Sequence, residues 1–112
     1  MVTTATSKAI PLFPSAAVSA ALRQELIDAI RSEARRKQRA LPTSDDELVN
    51  TDMEIDSLAA VEILPVVDPL LPFEAGEDVI KPGGYESISH ALAEIVPRLE
   101  RRWVKHHTET GK

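Results

Sequence analysis

The 112-residue chain contains no cysteine, one tryptophan, one tyrosine and two phenylalanines. Without cysteine there is no disulfide framework and no thiolate metal site. That pattern fits a cytoplasmic protein, and a cytoplasmic location is the expectation. With so few aromatics, aliphatic side chains must fill the interior, and Ala, Leu and Glu favour helices. A small helical bundle is therefore expected rather than a β-sandwich. No stretch approaches the roughly 18 consecutive apolar residues of a membrane span. The N-terminus has one lysine and no long apolar run, so no secretory signal is expected there. Hydrophobic residues nevertheless make up 43 % of the chain, enough to build the core of one small domain.

Charge is unevenly distributed. Residues 1–40 carry three acids and seven bases, residues 41–100 fourteen acids and two bases, and residues 101–112 one acid and four bases. The middle is acidic and the ends are basic. Such a middle argues against nucleic acid and for partners with basic surfaces.

Apolar residues recur at Val18, Leu22, Leu26 and Ile30, which predicts an amphipathic helix from about Ala16 to Arg39, with Ser15 as its cap. The bases Arg31, Arg35, Arg36, Lys37 and Arg39 fall in its last turns, where cations complement the helix dipole. Pro42 closes this segment. Thr43 to Asp56 reads as a long ordered loop, pinned to the core by Leu48, Val49, Met53 and Ile55. Its aspartates lack the spacing of a calcium loop.

A second helix should start at Ser57, capped by Asp56. Leu58 and Val61 would face inward and Glu62 outward. Pro65, Pro69 and Pro72 then interrupt a hydrophobic run. A proline inside a helix costs about 3 kcal/mol, so this helix should end near Leu64 and residues 65–72 form a second short piece. One helical turn is expected within residues 74–80, then a break at Pro82-Gly83-Gly84. A last helix is predicted from about Tyr85, with Ile88, Leu92, Ile95, Leu99 and Trp103 on its apolar stripe and a frayed end from Lys105. Trp103 is expected to cover a core edge. His90 should be solvated, and His106 and His107 lack metal-site spacing.

The stretch Glu-Ile-Asp-Ser-Leu-Ala-Ala-Val-Glu-Ile (residues 54–63) carries the strongest functional signal. Asp56-Ser57-Leu58 followed by Val61-Glu62-Ile63 resembles the attachment site of acyl carrier proteins. The helix order resembles that family over about residues 18–100. The resemblance implies an all-α, four-helix bundle with a long first loop, here with a Pro-interrupted second helix. Residues 1–14, polar or interrupted by Pro11 and Pro14, read as a flexible N-terminal tail and the polar residues 105–112 as a second tail, which leaves residues 15–104 as the carrier domain that the resemblance implies. It also implies a covalent 4′-phosphopantetheine on Ser57, installed from coenzyme A by a phosphopantetheinyl transferase. A phosphodiester there would meet the unpaired amides of a helix start. Leu58 and Glu62 match partner-facing positions, and the Val61 position points to the core. The implied partners are acyl-loading and acyl-transfer enzymes with basic docking surfaces, acting on a monomer.

The chain departs from the family's pattern at Ile55, where a small Gly-X pair is usual. It departs again at Pro65 and Pro69, and Asp68 is the only acid between Glu62 and Glu74. These departures point to a specialised lipid or secondary-metabolite pathway rather than a housekeeping fatty-acid synthase. An aminoacyl or peptidyl carrier is the nearest variant. A non-carrier acidic interaction module, with Ser57 as a plain helix start, is the rival. No catalytic site is expected. Ser57 and His90 could be written into a triad, but no nucleophile elbow accompanies them.

Overall fold

A computed structural model describes residues 11–110 of the chain. The expectations for residues 1–10 and 111–112 fall outside them. Among the described residues the chain is helical, with no strand and one isolated antiparallel bridge between Ile55 and Tyr85. Helix α1 spans Ser15–Arg36, α2 Asp45–Val49, α3 Ser57–Ile63 and α4 Ile88–Thr110. Two 3-10 segments, Leu64–Leu70 and Glu77–Val79, connect α3 to α4. No described helix is long and apolar enough to cross a membrane.

The long helices form the frame. Val18, Leu22 and Leu26 of the α1 stripe are buried, as expected. Ile30 is only half-buried, and Ile27 takes its depth at 1 % exposure. On α4, Ile88, Ala91, Ile95 and Leu99 are fully buried against them. Each such aliphatic side chain removed from water contributes about 1.5–3 kcal/mol. Phe13, just before α1, packs edge-on against Trp103 near the end of α4. At the other end, Ala34 and Met53 line one depression, and Met53 bonds the residue pair just before α4. The two helices are therefore antiparallel.

The starts and stops of α1 differ from the sequence reading. Pro14, not Ser15, stands at its N-cap position, with no side-chain capping bond. The helix ends at Arg36 rather than Arg39 because Gln38 adopts a left-handed conformation (φ 56°). The Gln38 amide donates to the Arg35 carbonyl and the Arg39 amide to the Ala34 carbonyl, the bonding of a Schellman motif. A side chain at this φ is strained where glycine is not. Gln38→Gly is therefore expected to stabilise the fold by about 0.5–1 kcal/mol, read as a higher urea midpoint.

The stretch from Thr43 to Asp56 contains a helix that the sequence reading took for loop. Ser44 caps α2 by accepting from the Glu47 amide, with Asp45, Asp46 and Glu47 in the first turn. Leu48 is fully buried beneath it. Two arginines of α1 hold this segment down. Arg31 donates to the carbonyls of Pro42 (2.9 Å) and Thr43 (3.3 Å) and to Asp45 (2.9 Å), and Arg23 pairs with Asp46 at 2.7 Å. So Arg31 serves as a staple between elements, beyond complementing its own helix end. At that end Lys37 pairs with Glu33 and holds its exposed carboxyl below the ordinary carboxylate pKa.

Helix α4 begins at Ile88, not near Tyr85, because Tyr85 and Glu86 are held in extended pairing with residues 53–55. His90 is half-buried rather than solvated. Its Nδ1 accepts from the Glu86 amide and its ring meets that of Tyr85. The expected tail from Lys105 continues the helix to Thr110 instead. Trp103 explains why. It is 8 % exposed, stacks against His107 with centroids 4.5 Å apart, and donates from Nε1 to the Pro11 carbonyl at 2.8 Å. The same contacts fix residues 11–14, which had been assigned to the N-terminal tail, onto α4.

Candidate functional site

Ser57 is the first residue of α3, directly after its cap. Asp56 is extended (φ −73°, ψ 165°), and its carboxylate accepts from the Ala59 amide at 2.8 Å. Its carbonyl accepts from the Ala60 amide. This is the N-cap geometry that the residue types predict. The amides of Ser57 and Leu58 have no acceptor among the described residues. The Ser57 hydroxyl is likewise in no hydrogen bond among them, and its side chain is half-buried at the rim of a groove.

That groove, about 380 Å³, lies between α3 and the second 3-10 segment. Leu58, Val61, Ile80 and Pro82 form its apolar lining, and among the described residues Glu77 is the only charged one in it. Among the described residues no basic side chain lines it, and none bonds the serine. His90, the nearest histidine in sequence, is occupied by the Glu86 amide and Tyr85. Within the described residues nothing withdraws the serine proton, so the hydroxyl has no activating base.

Helix α3 buries Ala60 and Ile63 and leaves Leu58 67 % exposed. The inward orientation read for Leu58 from the apolar pattern is thus incorrect. A helix of less than two turns puts only two or three residues on its buried face, and here Ala60 occupies the place assigned to Leu58. Val61 is half-buried, and Glu62 is exposed. Leu58 therefore stands in water next to Ser57, one helical turn from the exposed Glu62 and two residues after the exposed Asp56. Proline ends α3 as expected. Ile63 is its last residue, and Leu64 and Val67 are buried from the following 3-10 segment.

A second arrangement fixes the approach to Ser57. Ile55 and Tyr85 exchange two backbone hydrogen bonds, of 2.8 and 2.7 Å, and the Met53 amide donates to the Glu86 carbonyl at 2.8 Å. This short antiparallel clamp joins the strand-like lead-in of α3 to that of α4. The sequence reading did not find it. Its one visible signal was Pro82-Gly83-Gly84, read only as a break. No group of described residues has the make-up of a metal site. Comparison with known proteins gives no match: no family model, no curated protein and no solved structure aligns with the chain.

Proposed function

We propose that the protein is an atypical acyl carrier protein of the four-helix type, in which Ser57 carries a 4′-phosphopantetheine arm. One observation carries this reading: a hydroxyl without partners at the first position of a helix, flanked by an exposed leucine and without an activating base. Such a serine is suited to be the substrate of another enzyme rather than a catalyst. A transferase would supply the base, remove the proton from Ser57 Oγ and direct the oxygen to the β-phosphorus of coenzyme A. The new P–O bond would form as the bond to 3′,5′-adenosine bisphosphate breaks.

The chain's own residues would do three things. Asp56 fixes the helix start, so that Oγ is presented at a constant angle. The free amides of Ser57 and Leu58 meet the phosphodiester, and no cation beside them would hold it. A weakly held phosphate suits an arm that must swing, raising the effective concentration of its thioester at each partner site. Leu58, with Glu62 one turn on and Asp56 before the serine, would offer an apolar contact beside negative charge. A basic partner would be steered to it quickly and in a salt-sensitive way. The cargo is an acyl group; an aminoacyl or peptidyl group would use the same attachment chemistry.

The same exposed leucine and acids would also serve a non-carrier module that docks a basic protein. Incubation with coenzyme A and a broad-specificity phosphopantetheinyl transferase separates the two. The carrier gains the mass of one phosphopantetheine by intact-mass spectrometry. An unchanged mass with several such transferases leaves the interaction module.

A further inference from the structure

We infer that the Gly84–Tyr85 side of the clamp is a positioning element for Ser57, setting how fast the serine is modified; this rests on the carrier reading above. Lys81 to Gly84 form a tight turn closed by the Gly84 amide on the Lys81 carbonyl (3.1 Å), with Pro82 and Gly83 at its centre. Proline followed by a glycine with φ +93° is the pattern of a type II turn. The Tyr85 hydroxyl accepts from the Lys81 amide at 2.8 Å and fastens the turn from beneath; Tyr85 itself is 2 % exposed. The turn therefore cannot shift without unseating a buried side chain.

The two glycines have different duties. Both have positive φ, but a Cβ on Gly83 would meet nothing within 4 Å. A Cβ on Gly84 would lie 2.1 Å from the Ile55 carbonyl oxygen and 2.8 Å from the Asp56 Cα. These are backbone atoms, which cannot rotate aside. The backbone just before Ser57 rests directly on the bare face of Gly84. Any side chain there must push Ile55 and Asp56 outward, and the Asp56 cap is what aims the Ser57 hydroxyl. The docking residues Leu58 and Glu62 lie beyond the cap, on α3 itself.

Gly83→Ala and Gly84→Ala thus form a matched pair. Each puts an alanine at positive φ, and only the second collides with the lead-in to the site. Both are compared with wild type at a temperature where tryptophan fluorescence reports all three folded. With the transferase and coenzyme A, Gly84→Ala is expected to lose at least tenfold in kcat with KM changed less than threefold. Gly83→Ala should stay within threefold of wild type in both. Amide resonances of Asp56, Ser57 and Leu58 should move in Gly84→Ala and not in Gly83→Ala. Equal modification of the two variants, or unmoved resonances in Gly84→Ala, overturns the inference. If the wild type itself is not modified, the carrier reading fails, and the resonances alone decide the clamp. If Gly84→Ala does not fold, Met53→Pro replaces it. That variant removes the outermost backbone bond of the clamp together with a side chain that packs on the core, so Met53→Ala, which keeps the bond, is its reference. Met53→Pro should lose about tenfold in kcat relative to Met53→Ala, and equal rates overturn the inference.

Discussion

Ser57→Ala is expected to take up no phosphopantetheine at all, while its thermal midpoint stays within about 2 °C of wild type. The two halves of this result have separate causes. Uptake needs an oxygen nucleophile at this position, and alanine offers none. Stability is insensitive because the cap of α3 is the Asp56 carboxylate, which accepts from the Ala59 amide without help from Ser57. The Ser57 hydroxyl makes no hydrogen bond to lose among the described residues. Alanine is also the better helix former, by up to roughly 0.5 kcal/mol. Loss of modification in a protein of unchanged midpoint therefore reports the chemistry of one oxygen and not unfolding. A large fall in the midpoint would mean that Ser57 holds the fold, which is the rival reading of this residue as a helix start.

Leu22→Ala is expected to have the largest effect on stability, a loss of about 3–4 kcal/mol. Leu22 is fully buried at the middle of α1, which packs on α4, on the long 3-10 segment, and on α2 and α3. Truncation leaves a cavity inside the core cluster, and the rigid helices around it cannot fully collapse into it. Against a total of about 5–15 kcal/mol, the loss brings the protein close to unfolding and lowers the urea midpoint by roughly 2 M. Leu58→Ala is the contrast. Its side chain is 67 % exposed, so the midpoint should stay nearly constant although the residue type is the same. Near-equal losses for the two leucines would contradict the orientation of α3 described here.

The parts of the fold legible in the sequence are those with repeated local evidence. The α1 and α4 stripes extend over several turns, so one displaced position on each, Ile27 buried in place of Ile30 and Ala91 in place of Leu92, did not hide the buried face. The end of α3 before Pro65 and the short helical pieces after it followed from proline chemistry. The Asp56 cap followed from residue type. What was not legible depended on contacts distant in sequence. Arg31 and Arg23 look like ordinary surface cations until α2 folds beneath them. Tyr85 looks like the first residue of a helix until Ile55 pairs with it. Trp103 extends α4 past Lys105 only because Pro11 and Phe13 come back to it. The direction of Leu58 was hidden for a different reason: α3 is too short for periodicity to choose a face. The capping pattern of Ser44 and Glu47 was visible and would have revealed α2.

At the candidate site, sequence placed the serine, its cap and its exposed acid, but not the clamp that holds their lead-in. The clamp matters to the functional argument because α3 has only seven residues and cannot fix its own position. Its start is held by Tyr85, and its end by Leu64 and Val67 in the core. A serine mounted on a short helix fixed at both ends is presented at a constant place. The apolar groove beside it leaves room for an attached group.

The most direct measurement is made on the protein purified from the cells that naturally express it. Tryptic digestion, which spares the Lys81–Pro82 bond, yields a peptide over Ala40–Arg98 that contains Ser44, Ser57, Ser87 and Ser89. Tandem mass spectrometry of that peptide is predicted to show one phosphopantetheine, with fragment ions placing it on Ser57 and leaving Ser44, Ser87 and Ser89 bare. A peptide that is unmodified in every preparation, or one modified only at Ser44, Ser87 or Ser89, would contradict the assignment of Ser57 as the attachment site.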